Sequence, residues 1–284
     1  ADALRGVTLD FRISGATSRT VHCAFAGGNA RISAFIGDLP GASAGADVVF
    51  SLAARHHHGA CADTGPFSYR VGERIIHVAK EGRAFPPYDS PDRAFTRIGD
   101  AVDAAPDGAV VLVHPGVYRD DHCVIAKDIA VVSESGPYET IIDGGRSHRC
   151  VTLSHPSARV EGFTLRRGAA RAGMDINGGG AYLTRGGTLE NCIITHCTAA
   201  RHGGGVYCDR GGTVRRCIVR RNRAVFGGGG VYCYRGGTVS VSRVERNRTH
   251  RLLGKGGGIV CVNGGVVNDT DICRNRSRQE GGGV

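Results

Sequence analysis

Three sets of residues in this sequence have types and spacings that could do chemistry. The first is acidic. Asp269 and Asp271 stand two apart, the separation that places both on one face of a strand, and Arg274 is close by. Paired carboxylates beside a cation suit general acid–base work, with Asp269, Asp271 and Arg274 as the catalytic candidates. The second set is cationic. Arg185, Arg210 and Arg235 share one spacing, Arg221, Arg246 and Arg274 a second, and Arg223, Arg248 and Arg276 a third. The third is aromatic: Tyr182, Tyr207 and Tyr232, interrupted by Val260. Their rings could stack on sugars, or pack on one another and stiffen the chain. His196 and His202 have no evident partner, and no His/Cys spacing matches a metal module, so no metal is expected.

The charge is unevenly distributed. Residues 178–284 carry 17 Lys+Arg and 6 Asp+Glu, a net of +11, whereas the rest of the chain carries 19 basic against 20 acidic residues. Like charges about 5 Å apart cost roughly 1 kcal/mol per pair even in water. Rows of arginine with no acidic row beside them therefore suggest an anionic partner. An anionic polysaccharide suits an elongated ridge. Phosphates would also fit, but no motif for reading a nucleic-acid sequence is present. A solvated basic face is the alternative.

These residues recur because the sequence repeats. Gly178-Gly179-Gly180 returns at 203–205, 228–230, 256–258 and 281–283, at spacings of 25, 25, 28 and 25 residues. Each unit reads approximately GGGVYC-x-RGGTV-x-x-C-x-V-x-RNR. A fixed period of this size marks a solenoid. No leucine-rich frame, calcium nonapeptide or helical period is present, which leaves strands joined by glycine turns. Alternation points Ala181/Val206/Val231/Ile259, Leu183/Cys208/Cys233/Cys261, Leu189/Val214/Val239/Val267 and Ile194/Val219/Val244/Ile272 inward. Asn222, Asn247 and Asn275 form a polar ladder at a bend, with Cys197 in that place one unit earlier, and the tyrosines point outward.

The remaining chain positions this solenoid. A length of 284 residues suggests two domains, and no apolar run reaches the roughly 18 residues of a membrane helix. Glycine numbers 45 but does not recur every third residue, which excludes collagen. Residues 1–74 alternate in short strands and predict a small, immunoglobulin-like β-sandwich. Within it, 56–58 is a triple His read as an exposed loop, and Cys23 and Cys61 could form one disulfide. The other cysteines are expected as buried thiols. Residues 75–284 form the solenoid, opened by a strand at 75–80 and a capping helix over 91–105 that Ser90-Pro91 would start. Short strands are expected at 109–114, 123–125, 129–132, 140–142 and 159–165. The chain ends on the opening of a repeat, so a solenoid truncated at its C-terminus is expected.

The GGGVY units, the segment 93-RAFTRIGDAVDAAPDGAVVLVHPGVYRD-120 and 140-TIIDGG-145 resemble the right-handed parallel β-helix of the pectin-lyase-like superfamily. More loosely, the units are similar to polymorphic outer-membrane protein repeats, without the Phe of their FxxN motif. The resemblance implies an all-β fold, with a right-handed parallel β-helix of about 25-residue coils following the sandwich, and an extracellular or cell-surface location. It also implies three functions to weigh: non-catalytic binding of anionic polysaccharide through the Arg and Tyr columns, a polysaccharide lyase or glycoside hydrolase, or a structural, adhesive stalk. A lyase of this class would use Ca2+; otherwise no cofactor is expected. The Gln, Asp and Arg motifs of pectin methylesterases and the Asp motifs of polygalacturonases do not appear.

Overall fold

The computed structural model describes the backbone of residues 6–13, 19–28, 33–36, 47–55 and 61–70, and backbone with side chains for 75–119, 123–171, 176–250, 254–279 and 281–283. The chain divides into two compact units, Ala1–Glu73 and Arg74–Val284. In the first, the strands Gly6–Ile13, Arg19–Gly28, Ser33–Ile36, Asp47–Arg55 and Cys61–Arg70 pair antiparallel in one sheet, in the order third, second, first, fourth, fifth. The packing that would make a sandwich, the 56–58 run and a Cys23–Cys61 bridge all lie outside the described residues and side chains.

The second unit is a parallel β-solenoid with coils of about 25 residues. Its strands stack into four parallel sheets, here numbered in the order a coil visits them. Sheet one has eight strands, from Ile75–Val78 to Val266–Asn268; sheet two has seven, from Gly116–Tyr118 to Asp271–Cys273. Sheet three has four two-residue strands, from Ala169–Ala170 to Arg248–Thr249, and sheet four has six, from Cys123–Ile125 to Ile259–Val262. Pairing is in register, so each repeat position becomes a column running up the solenoid. The four inward columns read from the sequence are those observed: Val206 pairs with Val231, Cys208 with Cys233, Val214 with Val239 and Val219 with Val244. All eight are fully buried, each contributing about 1.5–3 kcal/mol for a Val-sized side chain. All nine described cysteines are free thiols, seven of them buried, filling the core as small apolar residues.

The glycine triplet has one job per residue. The first takes a left-handed backbone, φ +64 at Gly203 and +57 at Gly228. The second lets neighbouring backbones close up: a Cβ on Gly204 would be driven into the Arg223 and Gly229 backbone. The third leaves room for the asparagine column, since a Cβ on Gly230 would meet Asn247 Nδ2 at 2.9 Å.

Two local expectations need correction. The entry helix spans only Ile98–Ala104, not 91–105. Phe95 instead bridges to Val78, with the Phe95 amide donating to His77 O (2.9 Å) and the Ala79 amide to Phe95 O (2.8 Å). Backbone pairing along the first strand thus claims the residues before the helix and overrides their apolar spacing. The helix C-terminus is closed from another coil: Lys127 Nζ donates to the carbonyls of Val102, Asp103 and Ala105. The run 159–165 is also not one strand. It breaks at Gly162 (φ +79) into Arg159–Glu161 of sheet one and Thr164–Arg166 of sheet two.

Candidate anion-binding ridge

The corner between sheets two and three brings the second and third arginine columns together. Its inner side is the asparagine column. Asn247 Oδ1 accepts from the Asn222 amide (2.9 Å) and Asn222 Nδ2 (3.1 Å); Asn247 Nδ2 donates to Val219 O (2.8 Å) and Asn275 Oδ1 (3.1 Å). Below, the Cys197 amide donates to Asn222 Oδ1 at 2.9 Å, so Cys197 does occupy the corner one coil earlier. Every buried polar atom of the column is satisfied, and a turn can bend there without leaving backbone groups unpaired.

The residue preceding each asparagine turns the chain through a left-handed backbone: φ is +57 at Arg221, +53 at Arg246 and +56 at Arg274. Such a residue costs on the order of 1 kcal/mol, offset by the amide ladder beneath it. The turn leaves Arg221, Arg246 and Arg274 exposed. Two positions later Arg223, Arg248 and Arg276 are in register in sheet three. Arg223 is half-buried and its two partners are exposed. Burial and the neighbouring Arg248 both push the Arg223 guanidinium pKa down. Six arginines thus line one ridge at the coil spacing, about 4.8 Å. None of them pairs with a carboxylate among the described residues.

Several arginines outside the three columns do meet carboxylates. Buried Glu190 holds Arg215 Nη2 at 2.6 Å, Arg216 Nη1 at 3.3 Å and Arg159 Nε at 3.7 Å. Glu245 holds Arg243 Nε at 3.1 Å. Fully buried Asp143 receives Arg166 Nε and Arg167 Nε, each at 2.8 Å, and the Gly145 amide at 3.1 Å. Burial pushes the Asp143 carboxyl up, but the Arg167, Gly145 and Arg166 hydrogen bonds outweigh it and hold the pKa at about 2. Asp143 therefore shapes its turn through the Gly145 amide and also locks two arginines.

The other candidates lie elsewhere. Arg185, Arg210 and Arg235 occupy the turn between sheets four and one, a different corner; Arg210 meets Asp209 at 3.5 Å and Arg235 lies over the Tyr234 ring at 5.0 Å. Asp269 and Asp271 do not share a strand. Asp269 sits in the left-handed turn (φ +45) between sheets one and two, while Asp271 opens the strand Asp271–Cys273 and meets Arg243 at 3.5 Å. Arg274 belongs to the next corner. The three residues proposed for acid–base work are therefore divided between two turns and a strand.

The tyrosines stack in register but do not form an open platform. Ring centroids are 5.2 Å apart between Tyr182 and Tyr207, edge-on, and 5.4 Å between Tyr207 and Tyr232, stacked. Tyr207 is only 8 % exposed. Arg149 covers one end, 5.0 Å from the Tyr182 ring, and His202 the other, 4.3 Å from Tyr232. Burial, then Arg201, pushes the His202 pKa from 6.5 to about 4, and its Nδ1 has no hydrogen-bond partner. Native His202 is thus neutral. As pH falls below 6.5 the unfolded chain takes up a proton that the native state refuses until about pH 4, so stability falls across that window. Allowing for partial solvation, His202→Phe should recover about 1 kcal/mol at pH 5 relative to pH 7.5. Urea unfolding at the two pH values checks this; an unchanged pH dependence would contradict it.

Sequence spacing also missed a hydrogen-bonded chain near the N-terminal end of sheet one. His77 Nδ1 lies 2.8 Å from His114 Nε2, and His114 Nδ1 lies 2.7 Å from Glu134 Oε2. These residues are 37 and 20 apart in sequence, outside the 25-residue period, and only the stacking of unequal coils joins them. Among the described residues there is no group of three or more His, Cys, Asp or Glu placed to hold a metal, and no helix long and apolar enough to cross a membrane.

No family model and no curated protein matches the chain. Solved structures do. A pectin methylesterase in complex with hexasaccharide VII is similar at 15 % identity and a TM-score of 0.40, over 70 % of this chain and 67 % of that one. A Yersinia enterocolitica family 28 exopolygalacturonase is similar at 10 % identity and a TM-score of 0.28, over 78 % of this chain and 65 % of that one. The fold rests on the strand pairing itself, which is that of a parallel β-solenoid.

Proposed function

We propose that the solenoid binds an anionic polysaccharide along the corner ridge of Arg221, Arg223, Arg246, Arg248, Arg274 and Arg276, as an exported or cell-surface protein and without catalysis. The supporting observation is that these six arginines stand in two adjacent columns with no carboxylate partner among the described residues, while several arginines elsewhere, Arg166, Arg215 and Arg243 among them, meet a carboxylate. Stacking uncompensated guanidiniums costs free energy, reduced but not removed by salt. An extended chain with one negative charge per sugar relieves that repulsion at each rung. A uronan suits this, because a linked hexuronate advances by about one coil spacing, roughly 5 Å. The tyrosine column supports the ridge only indirectly, by stiffening the solenoid.

The test is retention of the full chain on immobilised polygalacturonate and on a neutral glucan. Retention on the uronan at about 50 mM salt, loss of at least about ten-fold in affinity by about 300 mM, and no retention on the glucan are expected. No retention on either polymer would leave a structural stalk. Equal retention on both would remove the charge argument.

A further inference from the structure

We propose that Arg146, His196, Arg220 and Arg221 form a subsite that seats one carboxylate of the bound uronan, with His196 taking up a proton from solvent as the anion arrives. This inference rests on the ridge reading above and adds a pH dependence to it. His196 occupies the same left-handed corner position as Arg221, Arg246 and Arg274, with φ +55, one coil before Arg221. Thr195 and Arg220 are in register on adjacent strands, so Arg220 projects beside Thr195 and Arg221 beside His196. The Arg146 amide donates to Arg167 O at 2.6 Å, which fixes Arg146 at the same corner.

The local charge is one-signed. Below His196, Arg166 and Arg167 are already spent on buried Asp143. Arg146, Arg220 and Arg221 have no carboxylate partner among the described residues, and Arg220 Nε is buried without any hydrogen-bond partner. His196 itself bonds Thr195 Oγ1 through Nδ1 at 2.9 Å, and no partner for its Nε2 occurs among the described residues. Burial keeps its pKa below the ordinary value, and the charged groups facing it, Arg221, Arg220 and Arg146, all cations, push the same way. The free site is therefore a cluster of three guanidiniums around a neutral imidazole. A carboxylate seated among them would reverse the local field and give the imidazolium a partner. By reciprocity, the factor by which the anion favours protonated His196 is the factor by which protonation tightens the anion.

The experiment measures affinity for polygalacturonate oligomers at pH 5.5 and 7.5 and constant ionic strength, for the full chain and for His196→Asn. Asparagine tolerates the left-handed backbone, so the corner is kept. The uronate groups are ionised at both pH values. The full chain should bind about five-fold or more tightly at pH 5.5 than at pH 7.5. The variant should lose the gain, its affinities at the two pH values agreeing within about two-fold. NMR titration of the His196 ring should show its pKa rising when the oligomer is present. Binding that is independent of pH in the full chain, or a variant that keeps the whole pH effect, would overturn the subsite and leave the ridge standing. Absence of binding by both proteins at both pH values would overturn the ridge reading and the subsite with it.

Discussion

Asn247→Ala is expected to be the most destabilising single substitution in the solenoid, by about 4 kcal/mol. Asn247 is fully buried in the middle of the amide column. Alanine would strand the Asn222 amide and one of the two Nδ2 protons below (the other reaches Ile194 O), Val219 O, and one lone pair of Asn275 Oδ1 above, all now satisfied by the Asn247 side chain. A buried polar group left without a partner costs about 1–3 kcal/mol, and partial relaxation keeps the total below the simple sum. The turn would lose support as well, because left-handed Arg246 is held by the ladder it precedes. The same change at Asn275 should cost less, since Asn275 is only half-buried. Equilibrium urea unfolding of the two variants, with circular dichroism as readout, checks both the size and the order. Equal and small losses would mean that the column is not what holds the corner.

How much of this could be read from the sequence depends on how far each feature follows the period. The inward Val, Ile, Leu and Cys columns were legible because one residue type recurs every coil and alternation fixes its direction. The asparagine ladder was legible for the same reason. The corner between sheets one and two was less so, because its inner position does not keep one type: Cys192, Cys217, Ser242, then Thr270. All four nevertheless do the same thing, donating from Sγ or Oγ to the carbonyl two residues earlier. Neutralisation of Arg215 and Arg216 was invisible because Glu190 has no equivalent one coil later; Arg215 itself stands in register with it. The sequence left the tyrosines open between an exposed stacking face and packing on one another; Tyr207 is flanked by the rings of Tyr182 and Tyr232 from the adjacent coils. The entry helix was overestimated because helical spacing said nothing of Phe95 joining the first strand.

The second large effect concerns the ridge. Replacing Arg221, Arg246 and Arg274 together with asparagine should weaken polygalacturonate binding about ten-fold or more, at an assumed 0.5 kcal/mol or so per exposed ion pair. Adding Arg223→Thr, Arg248→Thr and Arg276→Thr should extend the loss to about a hundred-fold. Neither set should unfold the protein. Asparagine accepts the left-handed corner, and threonine already stands in the sheet-three column at Thr198, in register with Arg223. Removing like charges stacked one coil apart should if anything raise the melting temperature slightly. Binding and stability would then move in opposite directions, which a merely structural role for these arginines does not produce. Arg215→Ser and Arg216→Ser should behave otherwise, since those side chains neutralise buried Glu190. Their loss should lower stability and leave uronan binding within about two-fold.

The most direct measurement is the affinity of the full chain and of the six-arginine variant for polygalacturonate at low salt, by titration calorimetry, with matched far-UV spectra to show that both are folded. The account predicts salt-sensitive binding by the full chain and a loss of about a hundred-fold in the variant. Undiminished binding by a folded variant would contradict it and move the site away from this corner.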